Sequence, residues 1–233
     1  MTKRIYIVCE GQSENQFVKS VLRPWFFEKT DHHCQLLPYT VITSTDKRAG
    51  RVYRGGIGTY KKVRNDLVKC MSYGCPVSSM IDLFRLPMDF PGQEEAKYIT
   101  DSIKRVEMLE AKMKEDLMSS QPFFRADFLL PYISLHEFET LFYCDLNALK
   151  YEYVEQFEQE RIDQLISEVS GMEPEEINQG PETAPSKRLL NALHYEKGSA
   201  VVYPLQEIGI DLMMQKCPHF KGWVEGLLAL AIA

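Results

Sequence analysis

The feature that most constrains the fold is a short apolar run near the start of the chain. Lys3–Cys9 is rich in apolar and β-branched residues and is followed at once by Glu10 and Gly11. A run of this kind, without regular polar alternation, is typical of a strand that is buried on both faces. Such strands occur in parallel sheets that helices cover on both sides. The start of the chain therefore favours an α/β fold.

Helical and strand patterns alternate after this first run. Apolar residues recur at helical spacing over 13–25, although Pro24 leaves the far end of that helix open. Strand patterns follow at 36–43 and 77–84, and a helical pattern lies between them at Tyr60–Met71. The order strand, helix, strand, helix, strand implies right-handed crossovers and a mostly parallel, doubly wound sheet.

The patterns that follow extend the same sheet. Residues 94–118 have the pattern of one long polar helix, and residues 128–135 are a fourth strand candidate. Pro131 lies inside that strand and indicates an edge position or a bulge, because proline cannot donate to a sheet ladder.

Strand patterns almost vanish beyond residue 146, and an acidic helical pattern covers 154–169. No flexible Gly/Ser linker marks the change. We therefore predict an α/β domain over 1–150 and a helical C-terminal extension, 151–233, that packs on it.

Length and composition restrict the class of protein. A chain of 233 residues buries about 70% of its unfolded surface on folding. With 45% apolar and 26% charged residues it resembles ordinary globular proteins and not disordered ones. The six cysteines are scattered along the chain. Cys70 and Cys75 lie close together, but no second pair of Cys or His residues lies at the spacing of a zinc site. No secretory leader pattern is present, and the longest apolar run, 227–233, is far below the roughly 20 residues of a membrane span. We expect a cytoplasmic protein with no membrane contact.

The charge distribution bears on nucleic-acid binding. A formal net charge of −6 argues against binding over the whole surface, because such binding needs many Lys and Arg contacts to phosphate. A local basic cluster is nevertheless present in and after a glycine-rich loop, and Lys187 is a weaker candidate for the same face. Such a cluster suits backbone and side-chain contacts to phosphates, and the alternative is a solvated, flexible loop. The cluster consists of Lys47, Arg48, Arg51, Arg54, Lys61, Lys62 and Arg64; of these, Arg48, Arg51, Arg54 and Lys61 are the candidate substrate contacts.

Two acids follow the predicted strands. Glu10 comes directly after the first strand, and Asp82 lies at the end of the third. Ligands of open parallel sheets bind outside the carboxyl ends of the strands, so we expect both acids at one edge. Neighbouring carboxylates repel each other unless a cation lies between them, which favours a Mg²⁺ or Mn²⁺ site. The alternative is that each acid caps a helix or lies in a solvated loop. Gly11 would allow a tight turn here, and Ser13 would begin a helix whose N-terminus favours anions.

The segment from Ile5 to Glu14, together with Asp82, resembles the Toprim domain of primases, topoisomerases and recombination-repair proteins. The acidic segment Glu10-Gly11-Gln12-Ser13-Glu14 is most similar to the corresponding segment of the overcoming-lysogenization-defect (OLD) nucleases. The resemblance implies a Toprim-like, Rossmann-like fold.

A resemblance over nearly the whole chain is more specific. The chain is similar to a bacterial family of Toprim-like proteins that is defined as a domain of unknown function. Members of that family are often encoded beside ABC-type or AAA ATPases, as in phage-defence modules, so the resemblance implies an ATPase partner. The segments that carry it are 82–87, 89–92, 131–139, 184–188 and 217–220.

A Toprim site implies metal-assisted phosphoryl transfer. The first-strand acid, here Glu10, would serve as general acid/base or metal ligand, and an Asp-x-Asp pair would hold one or two divalent cations. This chain departs from that pattern, because Phe84 occupies the position of the second Asp. The replacement ligand would have to come from elsewhere. The candidates are Asp89, Glu137 and Glu139.

The segment His136-Glu137-Phe138-Glu139 follows the fourth strand. We expect it to begin a helix at the sheet edge that carries Glu10 and Asp82. The alternative is that its acids only complement the helix dipole and that His136 is a structural hydrogen bonder. With Glu14, His136 is a candidate substrate contact.

The sequence features together with these resemblances lead us to expect a Mg²⁺- or Mn²⁺-dependent nuclease with Glu10 and Asp82 as catalytic residues, and the resemblance implies an ATPase as a partner. The alternative is a non-catalytic regulatory subunit that uses the acidic cleft to bind a metal, a nucleotide or its partner. A small-molecule phosphatase is less favoured, because nothing in the sequence resembles a nucleoside pocket.

Overall fold

A five-stranded parallel sheet organises the chain. The computed structural model describes residues 2–46, 51–54, 58–84, 86–178, 180, 183–193 and 202–233. The strands of the described residues are β1 (Lys3–Cys9), β2 (Cys34–Thr40), β3 (Ile42–Asp46), β4 (Arg51–Arg54), β5 (Val77–Asp82), β6 (Leu129–Leu130) and β7 (Ile133–Ser134). Strands β3 and β4 form a separate two-stranded sheet, and the other five form the parallel sheet. The parallel sheet has the order β2-β1-β5-β6, and β7 also pairs with β5. The mostly parallel α/β fold predicted from the sequence is therefore confirmed.

Helices cover both faces of the sheet. The α-helices are α1 (Gln12–Phe17), α2 (Arg23–Lys29), α3 (Tyr60–Met71), α4 (Gln93–Ala96), α5 (Ser102–Ser120), α6 (Gln156–Glu168), α7 (Pro185–Ala192), α8 (Val202–Ile208), α9 (Ile210–Lys216) and α10 (Pro218–Ile232). A π-helical segment, Val18–Leu22, joins α1 to α2. Short 3-10 helices span Ala126–Phe128, Phe138–Cys144, Leu146–Tyr151 and Pro174–Glu176.

The two faces of β1 bury different apolar layers, because successive side chains of a strand point to opposite faces. Ile5 and Ile7 belong to the cluster that contains residues of α1, α2 and the C-terminal helices. Val8 belongs to the cluster that contains residues of α3 and α5. Residues on both sides of position 150 contribute to the first cluster. The proposed domain boundary at 150 stays a prediction.

Pro24 lies inside a continuous helical path and does not end it. Proline lacks the N–H that would bond to the carbonyl four residues earlier, which is that of Ser20. The Ser20 carbonyl instead accepts a 3.0 Å hydrogen bond from the Gln206 side chain. The π-helical turn directly before Arg23 accommodates the missing bond, as such bulges do.

The strand predicted over 36–43 is divided. Its first part is β2, and Ile42 begins β3, which pairs antiparallel with β4. This hairpin lies where the sequence indicated a basic loop. Its strands are short and polar, so they lack the apolar alternation on which strand prediction depends.

Two other predicted elements are also divided. The helical pattern over 94–118 forms α4 and α5, since the Asp101 side chain accepts the Lys104 N–H and begins a new helix. The strand over 128–135 is divided into β6 and β7. Between them, the Ser79 hydroxyl bonds to both the N–H and the carbonyl of Tyr132, each at 2.9 Å. Pro131 has no N–H to continue the ladder. The Ser79 side chain of β5 therefore supplies the hydrogen bonds at this point.

The start of α10 is capped from a distant segment. The two carboxylate oxygens of Glu175 accept the N–H groups of His219 and Phe220, at 3.0 and 3.1 Å. A carboxylate at this end satisfies otherwise unpaired donors and complements the helix dipole. Among the described residues, no helix combines the length and the apolar character needed to cross a membrane.

Candidate functional site

The carboxyl ends of β1 and β5 bring Glu10 and Asp82 together. The two strands are adjacent and parallel, and Cys9 lies opposite Met80 in the ladder. The Glu10 N–H donates to the Met80 carbonyl at 3.0 Å, and the Asp82 N–H donates to Oε2 of Glu10 at 3.0 Å. Both acids are half-buried. The proximity predicted from the strand order is therefore present.

Glu14 adds a third carboxyl group to this edge. Its Oε2 accepts a 2.9 Å hydrogen bond from the Gly11 N–H, and its side chain is almost fully buried. Gly11 has an extended backbone, with φ −139°, and a Cβ there would lie 3.1 Å from Glu14 Oε2. The glycine thus permits the close approach of Glu14 and not a left-handed turn. Helix α1 begins at Gln12, with Gly11 as its cap residue in place of the predicted Ser13.

The Glu14 carboxyl lies in a field of other negative charges. Burial raises the pKa of Glu14 to about 7, and the charges of Glu10 and Glu139 contribute to the rise. A carboxyl whose pKa lies near neutrality can hold and release a proton at ordinary pH.

Asp82 links this edge to the segment that follows β7. Its Oδ1 accepts a 2.8 Å hydrogen bond from the Phe138 N–H, at the start of a 3-10 helix. The next residue, Glu139, is 1% exposed. Four carboxyl groups from three segments are therefore gathered here, and we call Glu10, Glu14, Asp82 and Glu139 the acidic cluster.

The donor chemistry of the acidic cluster fits a hard divalent cation. Carboxylate oxygens are the ligands that Mg²⁺ and Mn²⁺ prefer, and a cation would offset the repulsion that helps to raise the Glu14 pKa. In the part of the chain that the structure describes, however, no three His, Cys, Asp or Glu side chains are grouped so that they could hold a metal ion. The cluster therefore fits such a cation by charge and donor type, while backbone N–H groups hold the side chains of Glu10, Glu14 and Asp82.

Glu137 and Asp89, two other predicted ligands, have structural contacts. The Ser186 N–H and hydroxyl donate to the two oxygens of Glu137 at 2.9 and 2.8 Å, which caps α7. The Tyr60 N–H donates to Asp89 at 2.9 Å, at the start of α3. These contacts make Glu139 the better candidate of the three for the place of the second Asp.

His136 is held by hydrogen bonds at both ring nitrogens. Nε2 lies 2.9 Å from the Glu175 carbonyl, and Nδ1 lies 3.0 Å from the Asn178 amide nitrogen. Since the carbonyl needs a donor and the amide supplies one, the ring is neutral with its proton on Nε2. Burial lowers the pKa of His136, and the positive charge of Arg105 contributes to the decrease. These contacts favour the structural interpretation of His136.

The predicted basic contacts are distributed over several elements. Arg48 lies outside the described residues, while the backbone of Arg51 and Arg54 forms β4. Lys61 is exposed on the first turn of α3, and Lys187 is half-buried on α7. Their part in substrate binding stays a prediction.

Arg105 is a charged residue near this edge that the sequence did not single out. It lies on α5 among many other charged residues, and its Nε is buried without an acceptor in the described part of the chain. Sequence alone offers only a weak indication of it, namely a long cation directly before the buried position Val106 and four residues before the buried position Leu109.

Comparison with known proteins gives one family and one structural likeness. No curated protein matches the chain. Two crystal structures described as the C-terminal region of the Xanthomonas campestris pv. campestris OLD protein, phased with platinum and with mercury, are similar at 11% identity. The likeness covers 99% of this chain and 95% and 97% of those chains, with TM-scores of 0.47 and 0.45. The model of a family described as a domain of unknown function (DUF4276) matches residues 9–228, so the chain belongs to the DUF4276 family.

Proposed function

We propose that the chain is a Toprim-like, divalent-metal-dependent phosphodiester hydrolase, a nuclease that acts in the cytoplasm. The observation that carries the proposal is the gathering of buried and half-buried carboxyl groups in the acidic cluster, at the carboxyl edge of a parallel sheet. Ligands and substrates of such sheets bind at this edge. Buried carboxylates that repel each other are costly for stability, so their presence at a binding edge favours a chemical role.

Glu10 and Asp82 are the proposed metal-holding residues, with Glu139 in the place of the second Asp. A bound Mg²⁺ or Mn²⁺ would supply positive charge to a phosphate group. The backbone contacts to Glu10 and Asp82 fix the orientation of both carboxylates before any ligand binds. Glu14, with its pKa near 7, is the proposed group that accepts or donates a proton at neutral pH.

An ATPase partner is the part of the proposal that rests on sequence resemblance alone. The resemblance is to a family whose members are often encoded beside ABC-type or AAA ATPases. The effector of an ATPase-linked defence module is the corresponding role for this chain. Cleavage is then expected to depend on, or to be enhanced by, such a partner.

A second candidate is a non-catalytic regulatory subunit that uses the acidic cluster to bind a metal, a nucleotide or its partner. Phe84 occupies the position where the Toprim pattern has a second Asp. In addition, no described group of three acids, histidines or cysteines is arranged for a metal. The first observation favours binding without catalysis, and the second favours a nucleotide or a partner over a metal as the bound species.

The experiment that separates the two candidates is a cleavage assay of the purified chain with matched acid variants. Substrates are single- and double-stranded DNA and RNA, with Mg²⁺ or Mn²⁺, and with and without an ATPase encoded beside the gene. Asp82→Asn keeps an oxygen for the Phe138 N–H, so it removes charge with little change of shape. Glu107→Gln, at an exposed position of α5, is the control for loss of one negative charge.

The nuclease proposal expects metal-dependent cleavage that Asp82→Asn and Glu10→Gln abolish and Glu107→Gln retains. Cleavage that survives Asp82→Asn would contradict the proposed site. Inactivity of the wild-type chain in every mixture, together with Mn²⁺ binding that depends on Asp82, would favour the regulatory subunit.

A further inference from the structure

A small polar cavity opens next to the acidic cluster, beyond the end of β5. It has a volume of about 190 Å³, and the side chains that matter for its chemistry come from four segments of the chain. Pockets that bury drug-sized ligands have volumes of roughly 300–1,000 Å³, so this cavity suits a single small group and not a whole nucleotide. Its lining includes Leu83, Phe84, Lys97, Arg105, His136 and Asn178.

The wall of the cavity is continuous with the acidic cluster. The Leu83 N–H donates to the Ser134 carbonyl at 3.0 Å, and the Phe84 N–H donates to the His136 carbonyl at 2.8 Å. These bonds extend the pairing of β5 with β7 past Asp82. Only one residue separates His136 from Phe138, whose N–H binds Asp82. A group in the cavity and a group at the acidic cluster would therefore both lie against one short two-stranded ribbon.

Arg105 brings a positive charge to this cavity. Its Nε is buried and has no acceptor within the described residues. Lys97, by contrast, already pairs with Glu94 at 2.6 Å. The positive charge of Arg105 also reaches His136, whose pKa it helps to lower. No Asp or Glu is among the described residues that line the cavity, although the chain as a whole carries a net charge of −6.

The other polar groups of the wall are committed and hold it in place. His136 and Asn178 bond to each other at 3.0 Å, and His136 also bonds to the Glu175 carbonyl. Among the described lining residues, the charged groups that a ligand would meet are then Lys97, which pairs with Glu94, and Arg105. A guanidinium presents several N–H donors in one plane, a geometry that matches the oxygens of a phosphate.

We propose that this cavity binds a phosphate group, with Arg105 as its charged ligand. In naming a nucleic-acid phosphate as the natural occupant, the proposal rests on the nuclease function. Arg105 would then hold a backbone phosphate that neighbours the one at the acidic cluster, and it would position the strand without taking part in bond cleavage. A phosphate contact of this kind fixes register and carries no sequence information.

The test measures binding of inorganic phosphate, and of a short single-stranded oligonucleotide, by calorimetry in the presence of EDTA. Arg105→Gln removes the charge, and Arg105→Lys keeps the charge but loses the planar fork of donors. Lys104→Gln is the matched control, because Lys104 is the exposed preceding residue on the same helix. Thermal unfolding checks that each variant is folded.

Wild-type chain and Lys104→Gln are expected to bind phosphate equally. Arg105→Gln should weaken binding by roughly ten- to a hundredfold, as expected for loss of a charge-assisted hydrogen bond. Arg105→Lys should fall between them. Equal binding by folded Arg105→Gln and wild type, or no phosphate binding by wild type, would overturn the proposal.

The oligonucleotide and the Asp82→Asn variant separate this proposal from the nuclease function. Asp82→Asn should retain metal-free phosphate binding, since Arg105 is unchanged. Phosphate binding that requires Arg105, in a chain that cleaves nothing, would support the cavity and count against the nuclease. Cleavage that requires Asp82, with phosphate binding indifferent to Arg105, would overturn the cavity and leave the nuclease standing. Oligonucleotide binding that Arg105→Gln does not weaken would overturn the assignment of a nucleic-acid phosphate as occupant.

Discussion

The main-chain N–H of Asp82 donates a 3.0 Å hydrogen bond to Oε2 of Glu10. The two strand ends are thus joined through one side chain, and the Glu10 carboxylate has a structural contact in addition to its proposed chemical role. Substitutions of Glu10 can separate the two, because glutamine keeps an acceptor oxygen and alanine does not.

We expect Glu10→Gln to unfold with a free energy within about 1 kcal/mol of the wild type, since the Asp82 N–H retains an acceptor. Glu10→Ala should lose about 1–3 kcal/mol, because it leaves that half-buried donor without its partner. Both variants should bind Mn²⁺ more weakly. Urea unfolding and Mn²⁺ titration measure the two effects. Unchanged Mn²⁺ affinity in folded Glu10→Gln would remove Glu10 from the metal site.

Glu14→Gln is expected to stabilise the metal-free chain at pH 8 by about 1–3 kcal/mol, because it removes a buried charge that faces Glu10 and Glu139. The Gly11 N–H keeps its acceptor in this variant. Chemical unfolding in EDTA measures the gain, and Glu107→Gln, an exposed acid, should show almost none. A less stable Glu14→Gln variant would indicate that the repulsion within the acidic cluster is already relieved.

Much of the fold follows from local patterns in the sequence. The bounds of β1 and α3 agree with prediction, because their apolar residues recur without a break and end at clear turns. The positions of Glu10 and Asp82 follow from the rule that parallel strands end at one edge. The β3-β4 hairpin was missed, since its pairing, and not its apolar pattern, defines it.

The site was predicted less completely, because its partners are distant in the sequence. Glu137 and Glu139 are equivalent as sequence features. Only the contact of Glu137 with Ser186, 49 residues away, separates a helix cap from a member of the acidic cluster. Arg105 is of interest because its buried Nε has no acceptor among the described residues, a feature that no sequence pattern records.

The contrast between Glu137 and Glu139 leads to a paired prediction. Glu137→Gln should destabilise the chain by about 1–3 kcal/mol, because one Ser186 donor then faces an amide donor, and its Mn²⁺ affinity should be unchanged. Glu139→Gln should weaken Mn²⁺ binding at least roughly tenfold, as changes around metal sites do. Calorimetric Mn²⁺ titration of both folded variants measures this. The reverse assignment of effects would return Glu137 to the metal site and make Glu139 structural.

The largely buried pair of His219 and Glu110, with Nε2 and Oε1 3.1 Å apart, predicts how stability depends on pH. Burial by itself lowers the pKa of His219, but the hydrogen bond and charge of Glu110 outweigh it, so the pKa is raised above its usual 6.5. Burial also raises the pKa of Glu110, and His219 offsets only part of that rise. In both groups the folded chain holds a proton more tightly than the unfolded chain, so each contribution to stability is lost as pH rises.

The His219 contribution is complete below pH 6.5 and disappears as pH rises through the higher folded pKa, with a slope of at most about 1.4 kcal/mol per pH unit for one proton. Urea unfolding from pH 5 to pH 9 should show this fall in the wild type and in the control His33→Gln, at an exposed position, and a flatter profile in His219→Gln. An equally steep profile in folded His219→Gln would assign the pH dependence to other groups.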